Sequence, residues 1–176
     1  LKELNISPNC LVNNARSKTN LKIDHFGLID EFKMIDEYKL GVVVPYKLIM
    51  CLLGDTNSEL NKIVNVGSIY GKVAANRNLK DLNKDPLHYG ITKAALVHLT
   101  KELAVRFADK NININCISYG GVEGNVDNQF LKKYSKLCPS GRMLNVTELS
   151  EPLDMLLSSA SDAINGHVLM VDGGWT

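Results

Sequence analysis

The 176-residue sequence has almost no net charge, few cysteines and no long apolar run, and each shortage excludes a class of protein. Twenty basic against nineteen acidic residues leave a formal charge of +1. That balance gives no broad positive field for a phosphate backbone, so a nucleic-acid partner is not expected. The four cysteines, Cys10, Cys51, Cys116 and Cys138, are far apart and form no C-x-x-C pair. Such spacing points to neither a zinc site nor a disulfide framework, and no metal ligand set is expected; a reduced, cytoplasmic setting fits. No apolar run reaches the roughly 20 residues that span a bilayer, and no signal peptide precedes the first expected strand, so no membrane partner is expected. Internal repeats and linkers are absent too. The composition, 45% hydrophobic and 22% charged, is that of an ordinary globular chain whose partner is a small molecule.

Periodicity predicts an alternation of strands and helices. Residues 1–8 read as the tail of a polar helix and a turn, and 9–15 as a short apolar strand running into Asn13 and Asn14. Over 30–53 apolar residues recur at helical spacing (Phe32, Ile35, Leu40, Val43, Val44, Ile49, Leu52), with Pro45 expected to kink the helix and Gly54 to stop it. A second β-branched strand over 62–68 ends at Ser68, which places this serine at the same sheet edge as Asn13. A long polar loop over 69–84 follows. Asp85 and Pro86 are expected to cap and start a helix whose buried stripe is Leu96, Leu99, Leu103 and Phe107. A third strand over 112–116 leads to Gly120 and Gly121, a short helix lies near 129–136, a helix capped by Thr147 runs to 159, and a last strand covers 166–172. Alternation of this kind implies an α/β fold with a parallel sheet covered by helices, read as a single domain over 1–176.

Inside the helix that follows Pro86, Tyr89 and Lys93 are four residues apart and share one face. A free phenol titrates near pH ~10, and a fixed positive charge beside it favours phenolate. Tyr89 is thereby a candidate to pass a proton to a substrate oxygen.

The series Asn13-Asn14-Ala15, Ser68, Tyr89-x-x-x-Lys93, Asn115-x-Ile117-x-x-Gly120 and Val171-Asp172-Gly173-Gly174 resembles the short-chain dehydrogenase/reductase family in both order and spacing. Gly67-Ser68-Ile69-Tyr70-Gly71, the enlarged loop before Tyr89, Gly120-Gly121-Val122 with Asp127-Asn128-Gln129, Gly141-Arg142-Met143-Leu144 and the ending Asp172-Gly173-Gly174-Trp175 resemble its flagellin-modification and surface-glycan branch. The resemblance implies the C-terminal part of a Rossmann-type, doubly wound parallel sheet. It implies an oxidoreductase that uses NAD or NADP to interconvert a secondary alcohol and a ketone on a sugar-like substrate. Tyr89 would be the acid or base, Lys93 would lower its pKa and hold the nicotinamide ribose, and Ser68 would hydrogen-bond the reacting oxygen. Asn13, Ala15, Gly120, Gly121 and Val122 would border the cofactor, with Asn13 also able to tie strands together through its amide. Family members commonly form dimers or tetramers through helices corresponding to 30–53 and 87–108, so a homodimer or homotetramer is expected. A 3-oxoacyl-thioester reductase and a non-catalytic binding or oligomer partner are the alternatives.

Several features depart from the family pattern. The family's glycine-rich turn and the residue that selects NAD or NADP are not in this sequence, and the sequence reads as a fragment of a longer enzyme. Arg16 replaces a glycine, and its side chain would either crowd the cofactor or contact a phosphate. Lys39 aligns with the family's fourth catalytic residue, an asparagine, which would set a second ammonium near Lys93. Tyr119 takes the place of a proline. Of the histidines, His25, His98 and His167 read as structural, while His88 is a candidate to face substrate.

Overall fold

The computed structural model describes residues 7–124 and 126–176, so most of the helix tail expected over 1–8 lies outside the described residues. Four strands, β1 (Cys10–Asn13), β2 (Lys62–Val66), β3 (Asn113–Tyr119) and β4 (Val168–Val171), form one sheet in the order β1-β2-β3-β4. Every neighbouring pair is parallel, in register through Asn13 opposite Asn65 and Asn65 opposite Cys116. Parallel neighbours need crossovers, and helices supply them. The first crossover holds α1 (Glu31–Tyr38) and α2 (Val44–Leu53), the second α3 (Leu87–Arg106), and the third α4 (Asn128–Leu137) and α5 (Ser150–Leu157).

Side chains of a strand alternate between faces, and the two faces of this sheet bury two different cores. Ile63 and Ile114 pack with Ile49 of α2 and Leu103 and Phe107 around α3. Val64 and Ile117 pack on the other side with Leu156 of α5. Helices on both faces of an all-parallel sheet make the expected α/β fold. A third cluster joins Leu79, Tyr134, Cys138 and Met143, with Trp175 stacked on Tyr134 at 4.6 Å between ring centroids. Buried Leu79 ties the long 69–84 loop to the C-terminal part of the chain.

The helix over 30–53 differs from the simple kink expected of it. Asp30 caps it by accepting from the Lys33 N–H at 3.2 Å, and Gly54 ends it. Between α1 and α2 runs a π-helical turn, Lys39–Val43, closed by the Val44 N–H on the Lys39 carbonyl. Pro45 sits at the start of α2, where pairing returns from i+5 to i+4 and a residue without an N–H is tolerated. Gly41 lies in the turn and lets it approach α3 closely: a Cβ there would stand 2.4 Å from Cγ2 of Thr92. Phe32 and Ile35, which share the apolar periodicity, are 74% and 52% exposed.

Two cap expectations change. The start of α3 has no side-chain cap: the cap position falls on Pro86, which has no acceptor, and the Asp85 carboxylate before it pairs with Lys80. Before α5 the cap is Asn145 rather than Thr147. Its side chain accepts from the Thr147 N–H at 3.1 Å, and Glu148 reaches back to the Asn145 N–H at 2.7 Å, a capping box on the turn Val146–Glu148. Leu96, Leu103 and Phe107 form the buried stripe of α3, and Leu99 packs against it half-buried.

Glu148 also receives a two-pronged bond from Arg142, 2.7 Å for each N–O pair. The Arg142 hydrogen bonds, then the Asn145 N–H, hold the Glu148 carboxyl down to about 2. A carboxyl depressed on folding stabilises the fold above its unfolded value, near ~4.3, and loses that contribution as pH falls through the folded value. The unfolding midpoints of wild type and Glu148→Gln should therefore differ at pH 6 and converge as pH falls from about 4 towards 2. A constant difference across that window would show that the charge is immaterial.

Candidate functional site

The carboxyl ends of β1 and β2 are tied to each other and to α3 by a chain of buried side chains. Asn13 Nδ2 donates to Asn65 Oδ1 at 2.8 Å, Asn65 Nδ2 donates to Thr100 Oγ1 at 2.9 Å, and Thr100 Oγ1 donates to the Leu96 carbonyl. The chain runs from β1 through β2 into α3. Beyond the strand ends opens a cleft of about 400 Å3 lined by Asn14, Arg16, Ser68, Tyr89, Lys93, Tyr119, Gly120 and Val122, among others. Ligands of open α/β sheets occupy this edge.

Ser68 ends the β2 segment and does two things. Its hydroxyl accepts from the Tyr70 N–H at 3.2 Å, capping the 3-10 turn Ile69–Gly71, and it shares the cleft with the Tyr89 phenol, whose ionised form it favours. The α3 helix packs on that turn, with Gly90 against the Tyr70 backbone, and so presents Tyr89 to Ser68. One turn later Lys93 is 9% exposed, and its Nζ donates to the Val66 carbonyl at 2.6 Å. From there Nζ is 5.7 Å from the centre of the Tyr89 ring. The Arg16 guanidinium carbon stands over the same ring at 5.2 Å, and Tyr70 meets it edge-on at 6.5 Å.

These surroundings set the acid–base character of the pair. Burial pushes the Tyr89 phenol above its ordinary value; the Ser68 hydroxyl and the Arg16 charge pull it back, while Glu37 and Tyr70 push it further up. Thus the cation that favours phenolate here is Arg16, whereas the Lys93 ammonium is turned to the Val66 carbonyl. Burial lowers Lys93; Cys116 and Glu37 raise it, and Arg16 lowers it again. The Cys116 thiol is itself raised by burial.

Glu37 is the functional candidate that sequence reasoning missed. Lys39, aligned with the family asparagine, opens the π turn and is exposed, so it sets no second ammonium beside Lys93. Glu37 instead is 3% exposed, its Oε2 has no hydrogen-bond partner among the described residues, and its charge acts on both Tyr89 and Lys93. It lies four residues before Gly41, which meets Thr92 of α3, and only that tertiary contact singles it out. Glu37→Gln should let Tyr89 ionise at lower pH. The check is tyrosinate absorbance during an alkaline titration, with Tyr89→Phe subtracted; an unmoved or raised midpoint would contradict the assignment.

The remaining candidates divide between two spaces. Gly120 and Val122 line the main cleft, while Asn13 and Ala15 line a smaller cavity of about 120 Å3 that shares Asn14 and Lys93 with it. The Gly121 N–H donates to the Tyr134 hydroxyl at 2.9 Å, which fixes the turn after β3. Tyr119, in the family's proline position, lines the cleft and donates from its hydroxyl to the Leu149 carbonyl at 2.6 Å. His88 does not face the cleft: its ring is buried, with Nε2 2.8 Å from the Asn20 carbonyl. The closing motif is structural as well, since the Asp172 carboxylate accepts from Gly174 and Thr176.

The cleft fits a nicotinamide–ribose group by its donor set. Two hydroxyls, from Ser68 and Tyr89, and one ammonium, from Lys93, converge on a space large enough for that half of a dinucleotide. A family model described as enoyl-(acyl carrier protein) reductase matches residues 49–176. Post-translational flagellin modification protein A of Campylobacter coli is 36% identical over 115 residues, 64% of this chain and 45% of that protein. A 2-dehydro-3-deoxy-D-gluconate 5-dehydrogenase of Dickeya dadantii is 37% identical over 93 residues, 49% of this chain and 37% of its own. The chain thus spans less than half the length of these curated relatives. The structure of a short chain dehydrogenase from Leptospira borgpetersenii, solved with bound NAD+, superposes with a TM-score of 0.88 at 30% identity, covering 99% of this chain and 67% of that one. The parallel sheet, the cleft at its carboxyl edge and these matches agree: the chain belongs to the short-chain dehydrogenase/reductase family.

Proposed function

We propose that this chain carries the catalytic part of an NAD(P)-dependent oxidoreductase that interconverts a secondary alcohol and a ketone on a polar, sugar-like substrate. The convergence of Ser68, Tyr89 and Lys93 on one cleft carries this reading. Tyr89 gives its phenolic proton to the carbonyl oxygen in reduction, or takes the hydroxyl proton in oxidation. Its raised pKa keeps the proton in place until a substrate oxygen arrives. Ser68 donates a hydrogen bond to that oxygen as charge develops on it, and the Arg16 cation stabilises the phenolate that remains. Tyr89 and Lys93 would hold the nicotinamide ribose, with Gly120 and Val122 beside the ring; Asn13 and Ala15 would border the cofactor from the smaller cavity. Bound nicotinamide supplies or accepts the hydride.

The fragment reading makes residues 1–176 one incomplete Rossmann domain. Exposed Phe32, Tyr46, Leu48, Leu87 and Ile91 lie on the helices expected to join subunits, which supports a homodimer or homotetramer. Among the described residues no helix is long and apolar enough to cross a membrane, and we place the enzyme in the cytoplasm. The name of the 2-dehydro-3-deoxy-D-gluconate 5-dehydrogenase relative supports a sugar-like substrate. A second reading, a 3-oxoacyl-thioester reductase, draws support from the acyl carrier protein named in the matching family description and from an apolar groove of about 550 Å3 beside Tyr89, lined by Val73, Ala74, Leu82 and Ile91. Full-length protein supplied with NADPH or NADH separates the two. Faster turnover of keto-sugars than of acetoacetyl-coenzyme A is expected; the reverse order would transfer the function to the second reading.

A further inference from the structure

Within the oxidoreductase reading, the geometry points to Arg16 as the residue that selects substrates bearing a carboxylate or phosphate close to the reacting carbon. The cleft beside Tyr89 is lined by two cations, Arg16 and Lys93, and by no acidic side chain. Lys93 already spends one donor on the Val66 carbonyl. Arg16 has neither an ion pair nor a hydrogen bond among the described residues, and its guanidinium carbon stands 5.2 Å from the centre of the Tyr89 ring. A planar guanidinium with its fork of donors free is suited to a carboxylate or phosphate gripped at two oxygens.

The backbone segment that carries Arg16 is anchored. After Arg16 it turns through Ser17, whose hydroxyl donates to Asn20 Oδ1 at 3.2 Å and accepts from the Asn20 N–H at 3.3 Å. The Asn20 carbonyl is in turn bonded to buried His88, the residue before Tyr89. The helix that presents the phenol therefore also anchors the strap that presents the guanidinium. An anion bound at Arg16 is fixed relative to the Tyr89 proton, which gives orientation as well as affinity.

The test uses full-length protein and calorimetry with three matched ligands: gluconate, glucitol 6-phosphate and neutral glucitol. Each is measured with NAD+ or NADP+ present and with neither. One or both anions should bind at least about tenfold more tightly than glucitol, as expected of one charge-assisted contact. The stronger of the two identifies the group. Arg16→Gln should erase that preference and leave nicotinamide affinity unchanged, and Arg16→Lys should keep part of it. Equal binding of all three ligands, or a preference that survives Arg16→Gln, overturns the inference. So does a parallel loss of nicotinamide affinity in Arg16→Gln, which would assign the arginine to the cofactor. Failure of the wild type to bind either nucleotide would sink the oxidoreductase reading, whereas the anion preference measured without nucleotide would still stand or fall on Arg16.

Discussion

Tyr89→Phe is expected to lower turnover of the full-length protein by about 10^2–10^4, while nicotinamide, still held by Lys93, binds more weakly but binds. The substitution removes one oxygen and keeps the ring. The face beneath Arg16 and the edge against Tyr70 are preserved, so the packing of α3 on the Ile69–Gly71 turn is not at risk. What disappears is the hydroxyl that shares the cleft with Ser68 and carries the transferable proton. Because the loss falls on a transition-state interaction, kcat should fall with little change in KM. Unchanged turnover would remove the acid–base role from Tyr89 and with it the reading of the cleft.

Asn65→Leu is expected to be the most damaging structural change near the site, costing about 3 kcal/mol in urea denaturation. Asn65 is fully buried, accepts from Asn13 and donates to Thr100. Leucine strands the buried Asn13 amide without an acceptor, and an unsatisfied buried donor costs more than a made bond contributes. The double variant Asn13→Leu with Asn65→Leu should therefore cost less than the sum of the two single variants. Strict additivity would mean that the amide chain is not a unit. The next residue, Val66, supplies the carbonyl that receives Lys93, so distortion here reaches the cleft directly.

Much of this architecture was legible in the sequence because strand ends are marked by chemistry. Asn13 and Ser68 each follow an apolar run, and parallel pairing brings both runs to one edge. The four-residue offset of Tyr89 and Lys93 survives as geometry because α3 is regular across it. The π turn was not legible: nothing in Lys39-Leu40-Gly41 announces a five-residue turn, and the close meeting of Gly41 with Thr92 that accompanies it is a tertiary contact. Glu37 was missed for the same reason. Counting from a motif selects Lys39, whereas only the tertiary contact of Gly41 with Thr92 selects the residue four before it. The pull of Lys93 on Tyr89 was expected from spacing alone, and the Val66 carbonyl, far away in sequence, redirects it. Asp85 was read as a cap because local rules favour it, but the cap position falls on Pro86 and Asp85 pairs with Lys80.

The central claim, that Ser68, Tyr89 and Lys93 work on a substrate beside a bound nicotinamide, is tested most directly by a crystal structure of the full-length protein soaked with NAD+ or NADP+. The account predicts nicotinamide ribose hydroxyls within hydrogen-bond distance of the Tyr89 hydroxyl and Lys93 Nζ, with the ring facing Ser68. A nucleotide bound elsewhere, with the Tyr89 cleft left to solvent, would contradict it.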